Sequence, residues 1–130
     1  MQIEDDKGCF VCGDDNTHGL HATFVVDKVN QSASCQYIIP QQFQGWKNIA
    51  HGGILATLLD EVSIYACRSV TCNVVTAELS VRYKKPVTVN TPLTLQAKII
   101  ETKKRYFRVE STIEMDGKVH ASADAKVFIC

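Results

Sequence analysis

One helical run limits the folds open to this chain. Between residues 53 and 70 the apolar residues Ile54, Leu55, Leu58, Leu59, Val62, Tyr65 and Ala66 recur at helical spacing and fill one broad stripe. The other side is hardly polar: one turn from Asp60 lie Ala56, Thr57, Ser63, Ile64 and Cys67, with only Glu61 and Arg68 charged at the margins. A helix that is apolar or small nearly all round has to be covered on most of its surface. The two adjacent acids in its middle, Asp60 and Glu61, then need partners or a use, because a buried carboxylate without compensation is costly.

The material available to cover this helix is extended chain. Residues 20–29 and 32–39 before it, and 74–83, 93–103, 106–115 and 119–129 after it, read as strands rich in β-branched and alternating residues. Pro40 closes the second run, and Pro86 and Pro92 punctuate the gap after the third. Asp116-Gly117 between the last two runs is a two-residue hairpin signal, so the last four strands are expected to be largely antiparallel. Two strands, one long apolar helix and four strands make an α+β domain, and the economical way to bury the helix is to wrap the sheet around it. At 130 residues the chain has room for one such domain, residues 1–130, with residues 1–19 as an N-terminal loop segment.

Charge and cysteine usage exclude several function classes. Fourteen basic and fourteen acidic residues cancel, so no bulk attraction to nucleic acid or to an anionic membrane is expected. The start of the chain is acidic rather than apolar and no run is long enough to span a bilayer, which makes the cytoplasm the expected location. Six cysteines then read as reduced thiols. Cys9 and Cys12 form a C-x-x-C followed by His18 and His21, but these four are crowded compared with a zinc-finger spacing, and a structured loop without metal is the expectation.

The chemistry points to the start of the helix. His51-Gly52-Gly53 opens it, and two glycines let a ligand approach backbone amides that have no helical partner. With the macrodipole adding roughly half a positive charge, this is a place for a developing oxyanion or a polarised carbonyl. Asp60 lies two turns further along, too far to reach the same atom within one helix, so a second subunit is the expected source of the acid.

The order of elements, His51-Gly52-Gly53, Leu58-Leu59-Asp60-Glu61, and Thr76-x-x-Leu79-x-x-x-Tyr83-x-x-Pro86 together resemble hotdog-fold acyl-CoA thioesterases of the phenylacetate-pathway (PaaI-like) type. Cys9-Phe10-Val11-Cys12-Gly13, Asn16 and Gly19-Leu20 resemble the opening of one branch of them. The resemblance implies an antiparallel sheet wrapped around one central helix, a homodimer or homotetramer, and thioester hydrolysis at a subunit interface. It also implies no cofactor beyond the coenzyme A of an acyl-CoA substrate. It assigns the catalytic carboxylate to Asp60, the oxyanion amide to Gly53 with His51 and Gly52 shaping the turn, and a water-holding hydroxyl to Thr76. The chain departs from many members at Gly45, where they carry an asparagine.

Asp60 can serve as a general base or as a nucleophile. Glu61, one residue round the helix, is the alternative acid, and a capping, salt-bridge or pore-lining role suits it better. Arg82, Lys84 and Lys85, and Lys104 and Arg105, are the local cations able to meet the coenzyme phosphates in an otherwise neutral chain. Tyr37, Phe43, Trp46 and Tyr65 are available to line an acyl pocket. Competing functions are a hotdog dehydratase or hydratase built on His51, a non-catalytic acyl-CoA-binding module, and a zinc-stabilised interaction protein.

Overall fold

The computed structural model describes residues 1–130. Six strands, β1 (Val25–Asp27), β2 (Ser32–Ile38), β3 (Val74–Tyr83), β4 (Pro92–Thr102), β5 (Tyr106–Met115) and β6 (Lys118–Ile129), form one sheet. The order across it is β1-β2-β4-β5-β6-β3, and every neighbouring pair is antiparallel. A single α-helix, α1 (Gly52–Cys67), lies against it, entered through a short 3₁₀ turn at Gln41–Phe43. This is the α+β architecture expected from the element order, and the hotdog fold that the resemblance implies. No helix is long and apolar enough to cross a membrane.

The core sits between α1 and the inner face of the sheet. Leu58, Leu59, Val62 and Ala66 have no exposed surface and pack among Leu95, Val109, Ile113 and Val127. Fully burying a Leu or Val contributes about 1.5–3 kcal/mol, so this stripe is what holds the sheet around the helix. Ala121, Ala123 and Ala125 supply small inward residues along β6. Their size lets a helix lie close to the middle of the sheet. Asp116 and Gly117 both have positive φ, 52° and 73°, as a two-residue turn between antiparallel strands requires.

Two boundaries differ from the sequence expectation. Only Val25–Asp27 of residues 20–29 joins the sheet. The alternation that suggested a longer strand is real, but Leu20 and Ala22 are buried under the N-terminal loop: their amides donate to the carbonyls of Phe10 and Val11 at 2.7 and 2.9 Å. The helix stops at Cys67 rather than residue 70, where the amides of Arg68, Ser69 and Val70 turn back to form short three-residue bonds.

Candidate active site

The sheet edge and the helix meet at Asp60. Thr76 on β3 donates its hydroxyl to Asp60 Oδ1 at 2.5 Å, and both side chains are half-buried. A β-bulge makes this meeting possible. The ladder with β6 pairs Thr76 with Val127 and then Glu78 with Lys126, so Ala77 is an extra residue. Unbroken alternation would turn Glu78 and Ser80 toward the helix after Thr76. The bulge instead puts Thr76 on the same face as Leu79, Val81 and Tyr83, and Tyr83 closes that face by donating to the Gly52 carbonyl at 2.8 Å.

No ion pair involves Asp60. Arg68, the nearest cation along the chain and the C-cap of this helix, instead lies 3.6 Å from Asp5 and 4.7 Å from the centre of the Tyr65 ring. With its one proton committed to Oδ1, the Thr76 hydroxyl fixes the carboxylate's orientation and keeps its lone pairs for a water. Oδ2 stays available.

The helix start is arranged differently from the expectation of freely offered first-turn amides. The His51 ring caps the helix: the Gly53 amide donates to Nδ1 at 2.9 Å. The amides of Ile54 and Leu55 are taken by the His51 carbonyl at 2.9 and 3.2 Å. That leaves the Gly52 amide as the one without a protein acceptor in the first turn. A ligand atom reaching the Gly53 amide has to displace the His51 ring. Two hollows flank this end of the helix, one of about 360 Å³ beside Phe43, His51, Gly53 and Ile54, the other of about 470 Å³ beside Trp46, Gly52, Tyr83, Lys84 and Lys85. A third, of about 570 Å³, crosses the outer faces of β1, β2, β4 and β5 and has no part in this geometry.

The basic residues do not come together within one chain. Lys84 and Lys85 follow β3, their amides held by the His120 carbonyl, close to the helix start. Lys104 and Arg105 sit in the β4–β5 turn beside Tyr106 and Phe128, at the end of the sheet where β3 begins. Ten residues of strand, about 33 Å, separate the two ends. Arg82 is already engaged with Asp124 at 3.3 Å. The four aromatic residues also part company. Phe43 and Trp46 flank the helix start, whereas the Tyr37 hydroxyl donates to the Leu20 carbonyl at 2.6 Å and Tyr65 stacks on Phe24.

Sequence reasoning missed the surroundings of Glu61. The thiols of Cys9 and Cys12 approach its Oε1 at 3.8 and 3.2 Å, and burial pushes its carboxyl above the ordinary value against the pull of those hydrogen bonds. Burial also raises the Cys12 thiol to about 12. His18 and His21, the other half of the considered zinc set, are exposed and stand outside this cluster. The C-x-x-C was the only signal available, since its partner lies about fifty positions away.

A family model described as the thioesterase superfamily matches residues 47–119, a span that runs from the helix approach through Asp60 and Thr76 to the start of β6. The chain belongs to the thioesterase superfamily. No curated protein sequence matches it. Among solved structures, the thioesterase superfamily protein RHA08564 shares 25% identity with a TM-score of 0.87, covering 100% of this chain and 68% of its own. A phenylacetic acid degradation-related protein from Ralstonia eutropha is 21% identical with a TM-score of 0.78, covering 85% of this chain and 86% of its own. A Streptococcus mutans protein solved with acetyl CoA bound is 19% identical with a TM-score of 0.77, covering 84% and 88%. These likenesses and the family match agree on the fold.

Proposed function

We propose that this member of the thioesterase superfamily, of the PaaI-like type, hydrolyses an acyl-CoA thioester at a site completed by a second copy of the chain. The observation that carries the reading is the Asp60 carboxylate held by Thr76 at an open sheet edge, with no cation to neutralise it. As a base, Asp60 takes a proton from a water whose oxygen adds to the thioester carbon. The oxyanion forms at a helix start, on the Gly52 amide and, once the His51 ring swings away, on the Gly53 amide. The carbon–sulfur bond then breaks, and the departing thiolate recovers the proton from Asp60. As a nucleophile, an Asp60 oxygen adds to the thioester carbon and expels the coenzyme A thiolate, leaving a mixed anhydride; water then cleaves it to the free acid and the Asp60 carboxylate, and the proton released goes to the thiolate.

One chain cannot assemble this. Seven residues of helix separate Gly53 from Asp60, about 10 Å. β3, however, is an edge strand paired only with β6, ten residues long and β-branched, the type of edge that recruits another strand. Thr76 lies near its start and Tyr83, bonded to Gly52, at its end. Antiparallel pairing of β3 with a second β3 about a two-fold axis sets Thr76 and Asp60 of one chain beside the partner's helix start. It also brings Lys104 and Arg105 of one chain toward the end of the joined sheet that carries the partner's Lys84 and Lys85.

The bound acetyl CoA of the Streptococcus mutans protein supports a coenzyme A ester as the ligand. Replacing Lys84 and Lys85 together with alanine is expected to raise KM for acyl-CoA severalfold and to flatten its salt dependence. Hydrolysis of the same acyl group on N-acetylcysteamine, which lacks the phosphates, should be unchanged. An equal loss on both substrates would assign the lysines to fold or interface instead.

His51→Ala separates this reading from a dehydratase. The capping bond is worth about 1 kcal/mol of stability, so the melting temperature should fall. Thioester hydrolysis should drop by less than about tenfold, because the ring competes for the Gly53 amide and carries no proton in the reaction. A loss of the size a missing general base causes, on the order of 10² to 10⁴, would favour histidine chemistry. A screen of short, medium, long-chain and aromatic acyl-CoA esters by thiol release tests the activity itself and ranks its substrates.

A further inference from the structure

One residue round the helix from the Asp60–Thr76 pair, two thiols and an acid converge. The Sγ atoms of Cys9 and Cys12 and a Glu61 carboxylate oxygen all lie within 4.8 Å of one another. Both sulfurs address the same oxygen, Oε1, at 3.8 and 3.2 Å. Tetrahedral zinc with bonds of about 2.3 Å to sulfur and about 2.0–2.2 Å to oxygen sets such ligand atoms about 3.5 Å apart, so the three need little adjustment to hold one ion.

The backbone between the cysteines is shaped as a metal-binding turn. The Val11 amide donates to Cys9 Sγ at 3.4 Å, and the Gly13 amide returns to the Cys9 carbonyl at 2.8 Å. A Cβ at Gly13 would collide with the Lys7 carbonyl and the Cys9 backbone, so only glycine closes this turn. Behind it, the bonds from Leu20 and Ala22 to Phe10 and Val11 hold the turn in place. The cluster opens onto a hollow of about 600 Å³ lined by Glu4, Asp5 and Asp6 and by Arg68, which pairs with Asp5, so the hollow gives a cation a route and the acids outnumber the one opposing charge.

We propose that Cys9, Cys12 and Glu61 bind a zinc ion that staples the N-terminal segment to α1 beside Asp60. Two soft sulfur ligands favour zinc over magnesium or calcium. Binding releases both thiol protons, and water completes the fourth position. The ion positions the helix turn that carries Asp60 and takes no part in bond cleavage. The proposal is independent of the hydrolytic reading, because it is tested by binding alone.

The test uses the full chain, fully reduced, stripped with a chelator and titrated with Co²⁺. Wild type is expected to show thiolate-to-cobalt charge-transfer absorption and intense visible bands saturating at one ion per chain, all discharged by Zn²⁺. Cys130→Ser, at an exposed thiol that does not line this hollow, should behave as wild type. Cys9→Ser and Cys12→Ser should each weaken the charge-transfer band. Glu61→Gln should keep that band but bind more weakly, by more than the roughly 10-fold that even an outer-shell partner costs. Zinc should also slow proteolysis of the N-terminal segment in wild type and not in Cys12→Ser. A reduced, folded wild-type chain that shows no charge-transfer band with excess Co²⁺ overturns the proposal. So does a Cys9–Cys12 disulfide as the native state in freshly lysed cells, or a band that survives the loss of both thiols.

Discussion

Asp60→Asn is expected to lower kcat/KM for the best acyl-CoA ester by about 10² to 10⁴ while leaving fold and assembly unchanged. The amide keeps the size of the carboxyl and can still accept the Thr76 hydroxyl through its carbonyl oxygen, so the contact between α1 and β3 survives. It can neither hold a proton taken from water nor attack a thioester readily. The loss should therefore sit in kcat, with KM little changed. Circular dichroism and light scattering check that the variant remains folded and assembled. Near wild-type hydrolysis by a folded Asp60→Asn protein would remove Asp60 from the chemistry and direct attention to Glu61.

Gly53→Leu is expected to be the second severe loss. Gly53 is exposed at the helix start, and a Cβ there meets only the His51 ring, at 3.2 and 3.4 Å. Leu is the better helix former, but the His51 ring that caps the helix has to give way to the new Cβ, so the two effects on stability oppose each other. The side chain nonetheless stands where the thioester carbonyl has to approach the first-turn amides. Loss of one oxyanion donor typically costs about 10² to 10³ in kcat, and occlusion of the approach should cost at least as much. A folded but inactive protein is the expected result. Retained hydrolysis would place the carbonyl somewhere other than the helix start.

The parts of this account that were legible in the sequence are those written in local pattern. The stripe from Ile54 to Ala66 specifies a buried helix, and Asp116-Gly117 specifies a hairpin, because periodicity and turn chemistry act over a few residues. Asp60 stood out because an acid on an apolar helix needs an explanation. The Ala77 bulge was not legible: Thr76, Glu78 and Ser80 fit a period of two, and only the ladder with β6 shows that Thr76 shares its face with Leu79. Leu20 and Ala22 alternate like a strand, yet they are buried by a loop, a distinction that rests on where their amides bond. The meeting of Glu61 with Cys9 and Cys12 depends on how the N-terminal segment crosses α1, which no short-range rule encodes.

The proposed sharing of the site between chains is tested most directly by mixing two dead proteins. Asp60→Asn and Gly53→Leu homodimers should each be inactive, for different reasons. Mixed in equal amounts and exchanged through mild denaturant, half of the dimers become hybrids. In each hybrid one site joins Asp60 of one chain to the intact helix start of the other, while its second site carries both defects. Activity should therefore return to about a quarter of wild type. A mixture that stays inactive after hybrid formation has been verified by mass would contradict a site divided between chains.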